Sequence, residues 1–367
     1  MTSITLKNIT KTIRGKTIFK DLNLTIPSKE VTVLFGSSGA GKTILLKVIA
    51  GTESVDRGRI YFDSADVTNL PPKKRDVAMV FQTFALYPHL TIYENIASPL
   101  RIKKLPENEI RERINEVAEL LRIRHILNKM PSECSGGEAQ RTAIARALVK
   151  KPKIYLFDAP LTNLDYKVRE VLRSELKKIF REVNATVLYS TSNPEEAAAL
   201  GDKLVYIKEG RVAQIGAVRD CFQKPIDLDA ASHYSLFGIN TLRATCEQID
   251  SKKYLSVGSL LKVDVTGYEL LKPGAEYIIG FYPHDIRIQR TSVTVIQLPV
   301  SVEFLENMGS ELVIVGNFEG TPIRILTSNI EEIHELTKLK YVYIPNEKIL
   351  IFSKENRELL VGGLSNG

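Results

Sequence analysis

The segment Gly36-Ser37-Ser38-Gly39-Ala40-Gly41-Lys42-Thr43 carries the most specific chemical pattern in this chain, because it fits GxxxxGK[ST]. Its glycines let successive backbone N–H groups turn toward one anion, and a helix starting at the end of the loop adds the positive end of its dipole. The ammonium of Lys42 can reach the outer phosphates of a nucleotide, and the hydroxyl of Thr43 can ligate Mg²⁺. The pattern therefore predicts a site for a nucleoside triphosphate.

The elements around this loop have the order that such a site requires. Residues 30–35 form a short apolar run typical of a buried strand, and residues 44–50 read as a helix. A second apolar run, residues 154–157, predicts another buried strand that ends at Asp158. A carboxylate at the end of a neighbouring strand is what a Mg²⁺ ion held by Thr43 needs as a further ligand.

The pattern of strand-like and helix-like segments differs between the two halves of the chain. Strand-like runs alternate with helical patterns at first, including residues 107–121, where Ile110, Ile114, Val117, Ala118 and Leu121 share one helical face. This alternation predicts an α/β layer with a largely parallel sheet. Beyond an irregular stretch at residues 222–241 the pattern predicts a second, all-β domain, a small barrel. Its predicted strands are residues 277–281, 293–302, 312–318, 321–326 and 348–352.

Composition sets the outer limits. The 367 residues are 44% hydrophobic and 25% charged, which indicates a globular chain of two or three domains. There is no apolar run of about 18 residues that could cross a membrane, and the first residues lack the apolar core of a signal peptide. We therefore expect a cytosolic chain, or one docked on a membrane through a partner. The three cysteines, Cys134, Cys221 and Cys246, are predicted to be reduced thiols.

Ser135-Gly136-Gly137-Glu138-Ala139-Gln140-Arg141 resembles the signature motif of ABC-type ATPases. Ser135 and Glu138 also have the spacing of a capping box that opens a helix. The resemblance extends to Gln82, which looks like the family's Q-loop glutamine that ligates Mg²⁺, and to Asp165 in a segment similar to the D-loop. It implies that the signature helix faces the nucleotide held by another subunit.

Longer segments resemble the ATPase subunits of carbohydrate and polyol importers, namely residues 70–82, 85–91, 210–216, 282–287 and 302–309. The resemblance implies a P-loop NTPase fold of the ABC nucleotide-binding type over residues 1–235, followed by an OB-like (TOBE) regulatory domain over residues 236–367. It further implies ATP and Mg²⁺ as cofactors, two transmembrane permease subunits and, indirectly, a solute-binding protein as partners. The location implied is peripheral, at the cytoplasmic face of the inner or plasma membrane.

Three positions depart from the family pattern. Ala159 stands where the family has the Glu that polarises the attacking water, and a methyl group cannot accept a proton. Ser192 stands where the family has its switch His. Ile13 stands where an aromatic ring stacks on adenine, so it can offer apolar contact without stacking. Losing a group that orients or deprotonates water typically costs about 10²–10⁴ in rate.

These departures predict a chain that binds ATP without cleaving it efficiently. In the family, two subunits enclose two nucleotides, and each site combines one chain's phosphate loop with the other chain's signature helix. We therefore expect an asymmetric heterodimer with a paralogous ABC ATPase, in which Ser135, Gly136, Gly137 and Glu138 complete the partner's site. Residues 91–100 and 163–167 look closest to the ATPases of glycerol-type importers, which makes a sugar or polyol the expected cargo.

Two other functions remain open from the sequence. A non-hydrolysing regulatory or scaffold subunit would use the β domain as its working part. A nucleic-acid-associated ATPase would need aromatic stacking platforms in a basic groove. The net charge of +7 permits contact with phosphates. The candidate stacking rings of the second half are Tyr254, Tyr268, Tyr277, Phe281 and Tyr282. These rings are at least as well explained as core or edge residues, so we expect no nucleic-acid partner.

Overall fold

A computed structural model describes residues 2–290, 295–309, 311–328 and 336–364. The chain divides into two compact units, Met1–Arg219 and Asp220–Gly367. Each has its own hydrophobic core, so each is described by itself below.

The first unit is an α/β domain, as the sequence predicts. Its strands are β1 (Ile4–Ile13), β2 (Lys16–Ile26), β3 (Val31–Phe35), β4 (Arg57–Phe62), β5 (Ala65–Asp66), β6 (Val77–Val80), β7 (Ile154–Asp158), β8 (Thr186–Thr191), β9 (Lys203–Lys208) and β10 (Arg211–Ala217). Its helices are α1 (Lys42–Ala50), α2 (Ile92–Ile102), α3 (Glu107–Leu120), α4 (Gly136–Leu148), α5 (Tyr166–Glu182) and α6 (Pro194–Leu200), and α7 (Val218–Gln223) begins at its end.

Two sheets organise this unit. A six-stranded sheet has the order β10-β9-β3-β8-β7-β6, in which β3 pairs in parallel with β8 and β9, β7 pairs in parallel with β6 and β8, and only β10 is antiparallel to its neighbour. Strands β3, β7 and β8 are buried at every residue, which explains their continuous apolar runs. A four-stranded antiparallel sheet, β2-β1-β4-β5, packs on the same core.

The second unit is β-rich. It contains α8 (Leu228–His233) and the strands β11 (Asn240–Ile249), β12 (Lys252–Val257), β13 (Leu261–Asp264), β14 (Glu276–Phe281), β15 (Val295–Pro299), β16 (Ser301–Asn307), β17 (Leu312–Phe318), β18 (Thr321–Thr327), β19 (Tyr341–Pro345), β20 (Leu350–Ser353) and β21 (Leu359–Gly362). The strands form three sheets, β13-β12-β11-β14-β20-β21, β15-β19 and β16-β17-β18. All three sheets pack on one apolar core, and the β-rich second unit is as predicted.

Residues 220–235 are a correction to the predicted domain limits, because they group with the second unit rather than the first. Asp227 bridges to Glu358, the Leu228 N–H donates to the Arg357 carbonyl at 3.0 Å, and Ala231 lies in a small core with Phe352. The irregular composition of this stretch hides these contacts in the sequence.

The run predicted as one strand over residues 293–302 is also corrected. Residues 293 and 294 lie outside the described part of the chain, and the remainder divides between β15 and β16. β15 pairs with β19 whereas β16 pairs with β17, so the chain passes from one sheet to another at Val300.

The prediction of reduced thiols is confirmed. Cys134, Cys221 and Cys246 are free thiols. In the described part of the chain, every helix falls short of the length or the apolar character needed to cross a bilayer. Tyr277, Phe281 and Tyr282 are buried, so these rings belong to the interior of the β-rich unit.

Candidate nucleotide-binding site

The candidate site lies at the carboxyl ends of three adjacent parallel strands. Strand β8 runs between β3 and β7, with Phe35 in register with Thr191 and Asp158 in register with Ser190. The phosphate loop follows β3, Ala159 follows β7 and Ser192 follows β8. Parallel strands therefore bring together three segments that are far apart in the sequence.

The phosphate loop leads directly into α1. The helix begins at Lys42, at the end of the phosphate loop as predicted, and Gly41 is its N-cap with φ 103°. Gly41 has no side chain to cap the helix, and no acidic residue lies in its first turn, so the first N–H groups and the dipole are left for an anion. A Cβ at Gly41 would come within 2.8 Å of the Phe19 ring, which adds a steric need for glycine to the conformational one.

Lys42 is held in the loop by backbone oxygens. Its Nζ donates to the carbonyls of Gly36 at 2.6 Å and Ser37 at 2.8 Å. Burial lowers the pKa of the Lys42 ammonium, and the nearby Asp158 carboxylate acts in the opposite direction. Asp158 offsets the burial of the Lys42 ammonium only in part. A bound phosphate would supply further negative charge beside it.

Asp158 is the centre of a hydroxyl network. Its Oδ1 accepts from Thr43 Oγ1 at 2.9 Å and from Ser190 Oγ at 2.9 Å. Ser190 Oγ in turn accepts from the N–H of Ala159 at 3.0 Å. Ala159 lies in the left-handed region with φ 42°, and its N–H also contacts the Ser190 carbonyl at 3.1 Å. Ser190 therefore fixes both the carboxylate and the residue after it.

A cavity of about 240 Å³ opens over this network. It brings together nine of the predicted residues, which are Ser38, Gly39, Gly41, Lys42, Thr43, Gln82, Asp158, Ala159 and Ser192. Gly36, Ser37 and Ala40 belong to the same loop without lining the cavity, and Ile13 does not line it either. The adenine contact proposed for Ile13 stays a prediction, and Ile18 on the next strand is the apolar residue of this hairpin that the cavity includes.

Sequence reasoning missed four residues of the cavity lining, which are Ile18, Ile44, Thr162 and Ser190. No local signal marks Ser190, because two further hydroxyl residues, Thr191 and Ser192, follow it directly. Among the described residues that line the cavity, Asp158 is the only carboxylate, and none is a histidine.

The segment after Gln82 is linked to helix α4. Gln82 is exposed, and its carbonyl accepts from Asn163 Nδ2 at 3.5 Å. Phe84 and Ala85 both have left-handed backbone, with φ 60° and 50°. Arg146 of α4 donates to their carbonyls at 3.0 and 2.8 Å, which holds this strained segment in place.

The predicted signature residues begin α4 and lie outside the cavity of their own chain. The capping box is confirmed, because the Glu138 N–H donates to Ser135 Oγ at 3.3 Å and the Ser135 N–H donates to Glu138 Oε2 at 2.8 Å. That backbone hydrogen bond from Ser135 is the main cause that lowers the pKa of Glu138. Ser135 and Gly136 are exposed, and Asp165 caps α5 by accepting from the Val168 N–H at 3.0 Å.

The oxygen ligands of the site fit a nucleotide that binds together with a hard cation. Thr43 and Asp158 place a hydroxyl and a carboxylate oxygen 2.9 Å apart, and Gln82 adds an amide to the same lining. Oxygen ligands of this kind suit Mg²⁺, which takes its remaining ligands from phosphates and water. Among the described residues, no three His, Cys, Asp or Glu side chains are grouped so that they could hold a metal ion by themselves.

Comparison with known proteins agrees with this geometry. A model of the ABC transporter family matches residues 19–162. The sn-glycerol-3-phosphate import ATP-binding protein UgpC of Psychromonas ingrahamii is 40% identical over 315 residues, which are 86% of this chain and 82% of that protein. The trehalose/maltose import ATP-binding protein MalK of Thermococcus litoralis is 37% identical over 331 residues, 86% of this chain and 88% of that protein. The chain belongs to the ABC transporter family of ATP-binding proteins.

Two further similar proteins match less of the chain. The spermidine/putrescine import ATP-binding protein PotA of Vibrio cholerae is 37% identical over 294 residues, 78% of this chain and 76% of that protein. The ATP-binding cassette MJ0796, solved as a dimer in a post-hydrolysis state bound to ADP and Pi, superposes with a TM-score of 0.54 and 34% identity. That match covers 59% of this chain and 99% of MJ0796, and it assigns the nucleotide-binding fold to the α/β part of the chain.

Proposed function

We propose that this ABC protein is the ATP-binding, energy-coupling subunit of an importer for a sugar or polyol, and that it is the catalytically degenerate half of an asymmetric ATPase pair. The observation that carries the proposal is the methyl group of Ala159 beside an intact phosphate loop. Asp158 is the only carboxylate among the described lining residues, and hydroxyl groups of Thr43 and Ser190 already donate to it.

The residues of this chain divide into those that bind and those that would cleave. The loop N–H groups, Lys42 and the start of α1 hold the phosphates, while Thr43, Asp158 and Gln82 would hold Mg²⁺, which neutralises phosphate charge when bound. Cleavage also needs a group that orients or deprotonates water. The Ala159 methyl cannot do this, and the Ser192 hydroxyl cannot carry the positive charge of a histidine.

The start of the signature helix α4 is accessible to a second subunit. Ser135 and Gly136 are exposed, and the capped start of α4 carries the positive end of a helix dipole. An exposed N-terminus outside the chain's own cavity supports a role in the nucleotide site of a second subunit. We propose that this subunit is a paralogous ABC ATPase with the glutamate and histidine that this chain lacks.

The rest of the assembly follows from the similar proteins. UgpC and MalK are named for import of sn-glycerol 3-phosphate and of trehalose or maltose. We propose two permease subunits as partners, a solute-binding protein as an indirect partner, and a peripheral position at the cytoplasmic face of the inner or plasma membrane. Because PotA is named for spermidine and putrescine, a polyamine is the alternative cargo, and uptake of labelled glycerol, maltose and spermidine by a deletion strain separates the two.

Restoring the missing groups tests the catalytic part of the proposal. The double variant Ala159→Glu/Ser192→His carries a complete site and a signature helix, so two copies can complete each other's sites. We expect MgATP turnover by this variant to exceed that of the natural chain by about 10²–10⁴.

Ala159→Gln/Ser192→His is the matched control, because glutamine has the size of glutamate but cannot act as a base. It should stay near the rate of the natural chain. Rapid MgATP turnover by the natural chain alone, not raised by the double variant, would contradict the proposal. A chain that binds ATP but joins no permease would instead favour the regulatory or scaffold function.

A further inference from the structure

Lys11 is a buried charged residue near the end of β1. It is only 6% exposed, whereas the next residue, Thr12, is exposed. The pairing of β1 with β2 is irregular on both sides of Lys11. Such irregularities re-aim a side chain and are common beside functional sites. A lysine is rarely buried unless its charge is paired, so its partners indicate what the side chain does.

The charge of Lys11 is paired with two carboxylates of the segment that follows α1. Its Nζ lies 2.7 Å from Glu53 Oε1 and 3.8 Å from Asp56 Oδ1. The Glu53 N–H donates to the carbonyl of Lys47 in the last turn of α1, at 3.2 Å. The ion pair therefore joins β1 to the carboxyl end of the helix that begins at the phosphate loop.

Asp56 also holds the backbone of β1 on both sides of Lys11. Its N–H donates to the Thr10 carbonyl at 3.0 Å, and its Oδ2 accepts from the Thr12 N–H at 2.6 Å. Two backbone hydrogen bonds and an ion pair thus connect three successive residues of β1 to the segment after α1.

The hairpin formed by β1 and β2 also contacts the other end of α1. Phe19 on β2 is the cross-strand neighbour of Lys11, and a Cβ at Gly41, the N-cap of α1, would lie 2.8 Å from its ring. Ile18, beside Phe19, lines the nucleotide cavity. Because the hairpin contacts both ends of α1, these contacts set the position of Ile18 relative to the phosphate loop.

We propose that Lys11 is a positioning residue for the base of the bound nucleotide. The loop and Lys42 hold the phosphates, whereas Ile18 offers an apolar surface that a base can cover. Lys11 lies outside the cavity and acts through its pair with Glu53, which fixes the hairpin that carries Ile18. This inference rests on the ATP-binding part of the proposed function and is independent of the missing catalytic groups.

The test compares two ligands of the full chain by calorimetry, MgATP and magnesium tripolyphosphate, which has three phosphates and no base. Lys11→Met keeps most of the length of the side chain and removes its charge. We expect this variant to weaken MgATP binding about tenfold and to leave tripolyphosphate affinity within about twofold of that of the natural chain. A merely structural role would weaken both ligands alike, because both need the phosphate loop.

Glu53→Gln is the second variant and should weaken MgATP binding by a similar factor. The double variant Lys11→Met/Glu53→Gln should bind MgATP like Lys11→Met, because both changes remove the same ion pair. Arg59→Met is the matched control. It removes the exposed pair of Arg59 with Asp66, at 2.7 Å on the same sheet, and should change neither affinity.

The inference is overturned if Lys11→Met weakens both ligands by the same factor, if it leaves MgATP affinity unchanged, or if the effects of the two single variants add in the double variant. It is also overturned, while the proposed function stands, if the natural chain binds MgATP no more tightly than magnesium tripolyphosphate. A natural chain that binds neither ligand contradicts the proposed function as well.

Discussion

Ser190 positions two residues of the candidate nucleotide site. It is fully buried, and its hydroxyl donates to Asp158 and accepts from Ala159, so one side chain sets the position of two site residues. Groups that orient a metal ligand typically change metal affinity about tenfold or more when they are removed.

We therefore expect Ser190→Ala to weaken MgATP binding about tenfold while leaving metal-free ATP binding nearly unchanged. Titrations with and without Mg²⁺ measure the difference. Ser256→Ala is the control, because Ser256 Oγ makes a similar bond to Glu247 at 2.7 Å in the other unit. An equal loss with and without Mg²⁺ would show that Ser190 acts on the fold and not on the carboxylate.

Glu196 gives a prediction about pH. It is 3% exposed and accepts from Tyr189 OH at 2.9 Å and Thr191 Oγ1 at 2.8 Å, and burial raises its pKa above the ordinary value. Between the ordinary and the raised pKa, the folded chain holds a proton that the unfolded chain has lost. Stability therefore falls as pH rises through that window.

Glu196→Gln removes this titration and should flatten the decline in the free energy of unfolding of the first unit as pH rises above the ordinary pKa of a glutamate. Denaturant unfolding at a series of pH values measures it. The exposed neighbour provides the control variant, Glu195→Gln, which should keep the slope of the natural chain. A Glu196→Gln chain with an unaltered slope would show that this carboxyl group is already ionised when folded.

At the scale of elements, two adjacent glycines at the start of α4 differ in their surroundings. A Cβ at Gly137 would lie 2.8 Å from Val168 Cγ1 of α5, whereas a Cβ at Gly136 would have its nearest neighbour, Leu164 Cδ2, at 4.0 Å. The signature helix therefore packs closely on α5 at one glycine and is open at the other.

Gly137→Ala should destabilise the first unit by about 1–3 kcal/mol relative to Gly136→Ala, since overpacking a rigid valine outweighs the gain in helix propensity. Denaturant unfolding of the two variants measures the difference directly. Equal stability would mean that α4 can move away from α5 without cost, and that its position is set elsewhere.

Element boundaries also show how far the sequence could be interpreted. Strong signals placed β3, α3, β7 and β17 within one residue of their observed bounds, because continuous apolar runs and helical periodicity depend only on neighbouring residues. The break between β15 and β16 was missed, because it depends on a tertiary contact, the change of pairing partner at Val300.

The residues of the candidate site were likewise predicted only in part from the sequence. The phosphate loop and Asp158 follow from residue types and spacing, and Ala159 and Ser192 were identified through resemblance. Ser190 was not, because only the parallel register of β7 and β8 brings it to Asp158.

At the scale of the whole molecule, residues 220–235 belong with the β-rich unit. Ala231 packs with Tyr282, Leu350 and Phe352, and Tyr234 stacks on Phe222. We expect the fragment 220–367 to unfold cooperatively on heating. The fragment 236–367 should be less stable or aggregate, because it exposes Leu350 and Phe352. Equal melting curves for the two fragments would return the boundary to residue 235.

The whole-molecule claim is that this chain holds ATP, cannot cleave it efficiently and completes the site of an unlike partner. The most direct test is native mass spectrometry of the complex purified from its own cell through a tag on this chain. We predict one copy of this chain, one copy of a second ABC ATPase and two permease subunits. A particle with two copies of this chain and no second ATPase would contradict the account.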